Sequence, residues 1–159
     1  MRRLLGATLA ATLLLVSPAA ARTVAPATGD FTVSVLQATP QPTFGGQCLI
    51  NLTATFAFTG TLQGAFTAPF TILHRGGCTA PAGETFLARG TFEGAVAVGS
   101  RTRKGTFDFV FAGTIDEAGN ARGTLLVLRG TGGLHRLRGA LQLSGVSGVG
   151  GSYSGTLCV

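Results

Sequence analysis

The sequence predicts an all-β protein, a small antiparallel eight-stranded β-barrel, and three observations carry that prediction. Apolar and polar residues alternate with a period of two, as in Phe31-Thr32-Val33-Ser34-Val35, which is the pattern of a strand buried on one face. The alternating runs number about eight, each bounded by Gly or turn residues, and that count suits a small closed barrel. No stretch shows the three-and-four apolar spacing of an amphipathic helix.

Residues 1–21 read as an export signal. Arg2 and Arg3 give a basic start, Leu4 to Val16 is an apolar run broken only by Gly and Thr, and Ala19-Ala20-Ala21 offers the small-x-small pattern of a cleavage site. The run is too short to span a bilayer, which takes about 20 residues. No Cys stands near the cleavage point, so a lipoprotein acylation site is missing, and beyond the Arg pair nothing matches a twin-arginine signal. The expected product is secreted, periplasmic or extracellular, starts near Arg22 and keeps no integral membrane segment. Residues 22–29 then read as a flexible lead-in, and 30–159 as a single barrel domain.

The strands follow in order. Phe31, Val33 and Val35 share one face of the first, which Pro40 and Pro42 should break. Cys48, Ile50, Leu52, Ala54, Phe56 and Phe58 share a face of the next, with Asn51, Thr53, Thr55 and Thr59 opposite. Phe66, Phe70 and Ile72 oppose Thr67, Thr71 and Arg75, and Phe86, Ala88 and Phe92 oppose Arg89, Thr91 and Glu93. Phe107, Phe109 and Phe111 turn away from Thr106, Asp108 and Thr114. After the turn Asp116–Asn120 come strands at Thr124–Arg129, at Leu137, Leu141 and Leu143, and at Tyr153 and Leu157. Gly-Thr precedes an apolar residue in several of these, at Gly90-Thr91-Phe92 and Gly105-Thr106-Phe107 among others. Gly there relieves a bent barrel strand and Thr suits the wet face.

Composition narrows the function classes. The chain of 159 residues holds 25 Gly, 11 Phe, one Tyr and no Trp, so its core is built on Phe, Leu, Val and Ile. Removing residues 1–21 leaves ten cations against six acids, a net charge of +4. That excess is mild. The basic residues are scattered with no aromatic platforms between them, which argues against nucleic acid. Two groups, Arg101-Arg103-Lys104 and Arg129 with Arg136 and Arg138, read as solvated turns. A membrane barrel would put apolar residues outside and polar ones inside, and the Thr-rich face opposite the Phe face argues against it.

An acid–base site needs titratable groups in a dry cavity. Strand parity turns Glu93 and Asp108 outward, and Glu84, Asp116 and Glu117 fall at strand ends or turns. His74 keeps parity with Phe66, Phe70 and Ile72 and so faces inward near a rim, unless Pro69 inserts a bulge. A single His without a carboxylate partner reads as a rim residue before it reads as a base. His135 sits in a Gly-rich hairpin, and the two His are too far apart for a metal site. No nucleophile or phosphate-loop motif occurs. The sequence therefore implies no catalytic residue, no metal and no cofactor. Candidate ligand contacts are His74 and Tyr153 with Phe56, Phe92 and Phe109.

The cysteines carry more. If the second and third strands form a hairpin folded near Leu62, Cys48 lies across from about residue 76, close enough to Cys78 for a disulfide. Cys158 is left over. Leu125-Leu126-Val127-Leu128 is apolar on both faces, which calls either for cover by the lead-in or a loop, or for a homodimer contact. The Asn51-Leu52-Thr53 sequon lies inside a strand and is discounted.

The segment Gly130-Thr131-Gly132-Gly133-Leu134-His135-Arg136-Leu137-Arg138-Gly139, preceded by a Gly-Thr-Phe strand, resembles a hairpin of small bacterial proteins in a domain family of unknown function related to the allene oxide cyclase and dirigent barrels. The resemblance covers roughly residues 45–159 and implies an eight-stranded barrel of calycin-like appearance. It implies no activity, because the catalytic residues of those enzymes match no positions here. Three functions stay open: a binding module holding a small apolar molecule, a structural or cell-envelope protein with a filled barrel, and an isomerase or cyclase by fold analogy alone. A hollow of a few hundred Å3 near His74 and Tyr153 would favour the first; a filled interior would favour the second.

Overall fold

The computed structural model describes residues 24–43, 45–78 and 83–158. The expected export signal, residues 1–21, lies outside them, as do residues 22 and 23. Eight strands follow one another around a closed barrel: β1 (Val24–Pro42), β2 (Cys48–Gly60), β3 (Leu62–His74), β4 (Glu84–Val98), β5 (Arg101–Ile115), β6 (Asn120–Gly130), β7 (Arg138–Val146) and β8 (Gly150–Cys158). Each pairs antiparallel with its chain neighbours, and β1 closes the ring onto β8. Closure pairs both sides of the strands over most of their length, and β1 beyond Thr32 keeps one unpaired side. The predicted fold class is the observed one.

This up-and-down order gives the barrel two unlike ends. The β1–β2, β3–β4, β5–β6 and β7–β8 connections lie at one. The β2–β3, β4–β5 and β6–β7 connections, with Val24 and Cys158, lie at the other. A 3-10 turn at Gly132–Leu134 between β6 and β7 is the one helical element among the described residues.

Alternation sorts the side chains as the sequence predicts. Phe56, Phe58, Phe66, Phe70, Phe86, Phe92, Phe107, Phe109 and Phe111 are buried in one cluster, while Thr67, Thr71, Thr91 and Thr114 are exposed. Phe56 stacks on Phe66 with ring centroids 4.9 Å apart, Phe92 on Phe107 at 4.6 Å, and Phe66 tilts against Phe109 at 4.3 Å. Such pairs each add about 0.5–1.5 kcal/mol beyond the area they bury.

Glycine makes room for these rings. A Cβ on Gly113 or Gly123 would stand 2.6 or 2.8 Å from Phe86 Cζ, and one on Gly64 or Gly94 would stand 2.8 or 2.9 Å from Phe92 Cζ. The Gly-Thr-Phe pattern thus has a second cause beyond strand bending. In the Gly-Thr pairs at Gly90, Gly113 and Gly123 the Gly is an inward seat for a ring, of Phe109 at the first and Phe86 at the other two, whereas Gly105 lies against the backbone of Thr131 and Leu134; the Thr is the wet neighbour.

Two local readings change. Residues 24–29 are not a flexible lead-in: they form the start of β1 and pair with β8 from Val24↔Cys158 to Gly29↔Tyr153. Pro40 and Pro42 do not end the strand either, since β1 continues opposite β2 to Pro42↔Cys48. Pairing with β8 stops at Thr32↔Gly150, so both prolines sit where one side of β1 is an edge and no ladder donor is missed. Pro69 is exposed and leaves parity intact. The apolar run at Leu125–Leu128 splits as parity demands, with Leu125 and Val127 buried and Leu126 and Leu128 about half exposed. A register shift at Asp108/Phe109 leaves Leu128 as the extra residue of a bulge. The described part of the lead-in lies beside β8 and covers neither leucine.

Candidate functional site

At the end bearing the β7–β8 turn the core does not close over among the described residues. Phe31, Leu52, Phe56, Phe70, Phe111 and Leu143 line an apolar cup of about 70 Å3, with Val146, Ser147 and Gly148 at its edge. A hydrogen bond from Val33 N to Val149 O, 2.9 Å, fastens that turn to β1. The hollow has a local cause: Gly123 and Gly145 are among its walls, and Val33, Leu52 and Ala121 are only partly buried. Ser147 and Arg122 are the polar residues among the described lining, and Arg122 lies on the exposed parity of β6. The cup is well below the roughly 300 Å3 at which pockets enclose a drug-sized ligand. It holds a slim apolar group, such as the end of an alkyl chain.

Of the five candidate ligand residues, Phe56 is in this lining and the other four are not. Phe92 and Phe109, both at most 1% exposed, are spent on internal stacking. Tyr153 serves the opposite half of the barrel. Its hydroxyl accepts from Leu62 N at 2.7 Å and donates to Thr59 O at 3.0 Å, which pins the tight β2–β3 turn. Burial pushes its phenol above the usual range, against the opposing pull of the Leu62 hydrogen bond. The hollow expected near both His74 and Tyr153 therefore does not form: the two residues stand at different ends.

His74 is at the cup end, inward and 5% exposed. The sequence reading found it no carboxylate, but the β3–β4 register places Glu84 directly opposite. Nε2 lies 3.7 Å from Glu84 Oε1, beyond hydrogen-bond length, and neither ring nitrogen has a hydrogen-bond partner. On its other side His74 pairs with Cys48. The predicted Cys48–Cys78 disulfide is present, Cα atoms 4.9 Å apart, and Cys158 is free and half-buried. Cys48 faces residue 74, and the chain reaches Cys78 four residues later. At the neighbouring turn Asp116 accepts from Ala118 N at 3.0 Å and Asn120 N at 2.8 Å. The Asn120 side-chain amide also donates to it and is the largest cause holding its carboxyl below the usual range. No group of three or more metal-ligating side chains occurs among the described residues, nor any helix long and apolar enough to cross a membrane.

A family model described as a protein of unknown function (DUF3224) matches residues 27–153. Among solved structures, the fold is similar to the crystal structure of a protein with unknown function from the DUF3224 family of Shewanella oneidensis MR-1. The TM-score is 0.64 and the identity 21%, over 86% of this chain and 97% of that one. At that identity the likeness shows the fold alone. No curated protein matches the chain.

Proposed function

This chain belongs to the DUF3224 family of proteins of unknown function, and from that premise we propose that it is an exported barrel whose cup takes the end of a small, slim apolar molecule. The observation that carries the reading is the cup itself, an apolar recess open at one mouth of an otherwise filled barrel. Water in such a recess has few polar partners and is readily displaced by hydrocarbon. Export is supported by the Arg2-to-Ala21 segment and by the disulfide, which suits an oxidising compartment. The kinship to allene oxide cyclase and dirigent barrels belongs to the same reading and adds no activity, since the lining carries neither a carboxylate nor a His.

The small cup also favours a second reading, a filled structural barrel that works through its outside. Native mass spectrometry of protein purified from its own host separates the two: a stoichiometric co-purifying apolar molecule supports binding. Titration with alkyl carboxylates of increasing length gives the site. Ala121 lines the cup, and Ala121→Leu fills it with three carbons. Losing roughly three methylenes of burial, about 2.4 kcal/mol, weakens binding about 60-fold. Equal affinity in both proteins, with unchanged Tm, would refute the site. The half-exposed Leu126 and Leu128 also fit a homodimer contact, which sedimentation of Leu126→Asp/Leu128→Asp against the unaltered chain tests: two monomers would end that idea.

A further inference from the structure

The two basic groups that the sequence keeps apart are joined by the fold. Arg101, Arg103 and Lys104 open β5, Arg129 nears the end of β6, and Arg136 and Arg138 flank the start of β7, so all six belong to the end opposite the cup. The segment between β6 and β7 is clamped onto β5. Thr131 N donates to Thr106 O at 2.8 Å, and the Thr106 and Thr131 hydroxyls meet at 2.6 Å. Gly133 lies so close that a Cβ on it would stand 2.7 Å from Lys104 O and 3.4 Å from Arg103 Cβ. Leu134 and Leu137, both fully buried, anchor the segment as a plug in the barrel. The cations therefore stand on a held surface rather than on a loose loop.

That surface lacks compensation. Arg129 reaches Asp108 at 3.8 Å, and Arg101, Arg103, Lys104, Arg136 and Arg138 make no ion pair among the described residues. Of the other acids of this half, Glu93 shares a shallow surface recess with Lys104, and Asp30 stands on β1. At the cup end Glu84, Asp116 and Glu117 outnumber Arg75 and Arg122. The chain's positive charge is thus concentrated at the basic end, six cations against the three acids Asp30, Glu93 and Asp108, while the cup end carries two cations against three acids.

We propose that this basic end docks an anionic polysaccharide. Five of its six cations are Arg, whose planar fork grips carboxylate and sulfate bidentately. Hydroxyls and small residues (Ser100, Thr102, Thr131, Gly132, Gly133) lie between them, and the six cations outnumber the exposed large apolar residues at this rim, Val24 and Leu128 beside Arg129. A polar, Arg-rich face of that kind suits a hydrated polymer; a bilayer-inserting face would carry several apolar groups.

The test uses heparin as a defined sulfated polysaccharide and vesicles of 30% phosphatidylglycerol in phosphatidylcholine. The unaltered protein should bind heparin in a salt-dependent way and stay in the supernatant with vesicles. Arg103→Glu/Arg136→Glu should weaken heparin binding at least tenfold. Arg75→Glu/Arg89→Glu, an equal change of net charge away from this end, should change it less than threefold. Equal weakening by both pairs would overturn the site, since attraction would then follow net charge alone. Vesicle binding as tight as heparin binding would overturn the polysaccharide assignment. Unchanged Tm in both double variants keeps the comparison about binding.

Discussion

Replacing Tyr153 by Phe removes one oxygen and leaves every ring carbon in its contacts with Phe58, whose centroid is 5.6 Å away. What is lost is the pair of hydrogen bonds to Leu62 N and Thr59 O, 2.7 and 3.0 Å long. Leu62 is fully buried, so its N–H is stranded, and an unsatisfied buried donor costs about 1–3 kcal/mol. The Thr59 carbonyl is nearer the surface and loses less, about 1 kcal/mol. The sum is about 2–4 kcal/mol. Unfolding entropy of about 2.1 cal/mol/K per residue, over roughly 130 folded residues, converts this into a Tm lower by about 7–15 °C. Calorimetry at pH 7 measures the shift, and urea titration should show a lower midpoint at unchanged slope. A Tm within about 3 °C of the unaltered protein would mean that the hydroxyl does not hold the β2–β3 turn. The same residue makes a pH prediction. Burial raises its native pKa above the unfolded value. The stability tied to the neutral phenol is therefore complete below about pH 10 and drains away as pH climbs through the raised value. Because the chain has one Tyr and no Trp, absorbance at 295 nm reports this phenol alone. Its titration should lie above that of the urea-unfolded chain, and Tyr153→Phe should lack the corresponding alkaline loss.

Reducing the Cys48–Cys78 bridge frees a loop of 30 residues and should cost about 3–4 kcal/mol, read as a Tm about 11–15 °C lower on adding reductant. Non-reducing peptide mapping should link Cys48 to Cys78 and leave Cys158 alkylatable; a Cys158 linkage would refute the pairing. Gly113→Ala should fail to give soluble protein, because its Cβ would meet the backbone at Gly123 Cα, 2.6 Å, as well as the Phe86 ring. Gly90→Ala meets side chains only, Ala68 Cβ at 3.0 Å and Phe109 Cζ at 3.1 Å, and should fold with about 1–2 kcal/mol lost in urea titration. The reverse order of these two would sink the ring-seat account.

What the sequence disclosed and what it withheld divide along physical lines. Which side of a strand faces in is local, written in every second residue, so the burial of Phe56, Phe92, Phe109 and His74 could be read directly. The Cys48–Cys78 bridge was legible because a hairpin turns separation along the chain into proximity. Everything that needed register between strands was not. His74 looked solitary because Glu84 is ten positions away, and only the β3–β4 pairing puts them side by side. The ring seats were hidden for the same reason, since Gly113 and Phe86 meet across β4 and β5. Residues 24–29 carry Pro, Ala and Gly, which argued for a loose lead-in, yet a closing partner in β8 outweighs weak local preference.

The unlike ends of the barrel follow from the unlike connections that cap them. Between β6 and β7 the chain spends enough residues to fold a 3-10 turn inward, and Leu134 and Leu137 join Leu62, Val96 and Leu157 to fill that end, each at most 1% exposed. The β5–β6 and β7–β8 turns at the other end are short and satisfied by their own backbone and by Asp116. They send no side chain into the barrel. Among the described residues the rings nearest that mouth keep an open side, and the cup is the space a second plug would occupy. A sealed end can carry charge without paying for it in the core, because its cations are separated from the Phe cluster by a leucine layer. The filled end thus follows from the inward fold of the β6–β7 connection, which seats Leu134 and Leu137 in the barrel.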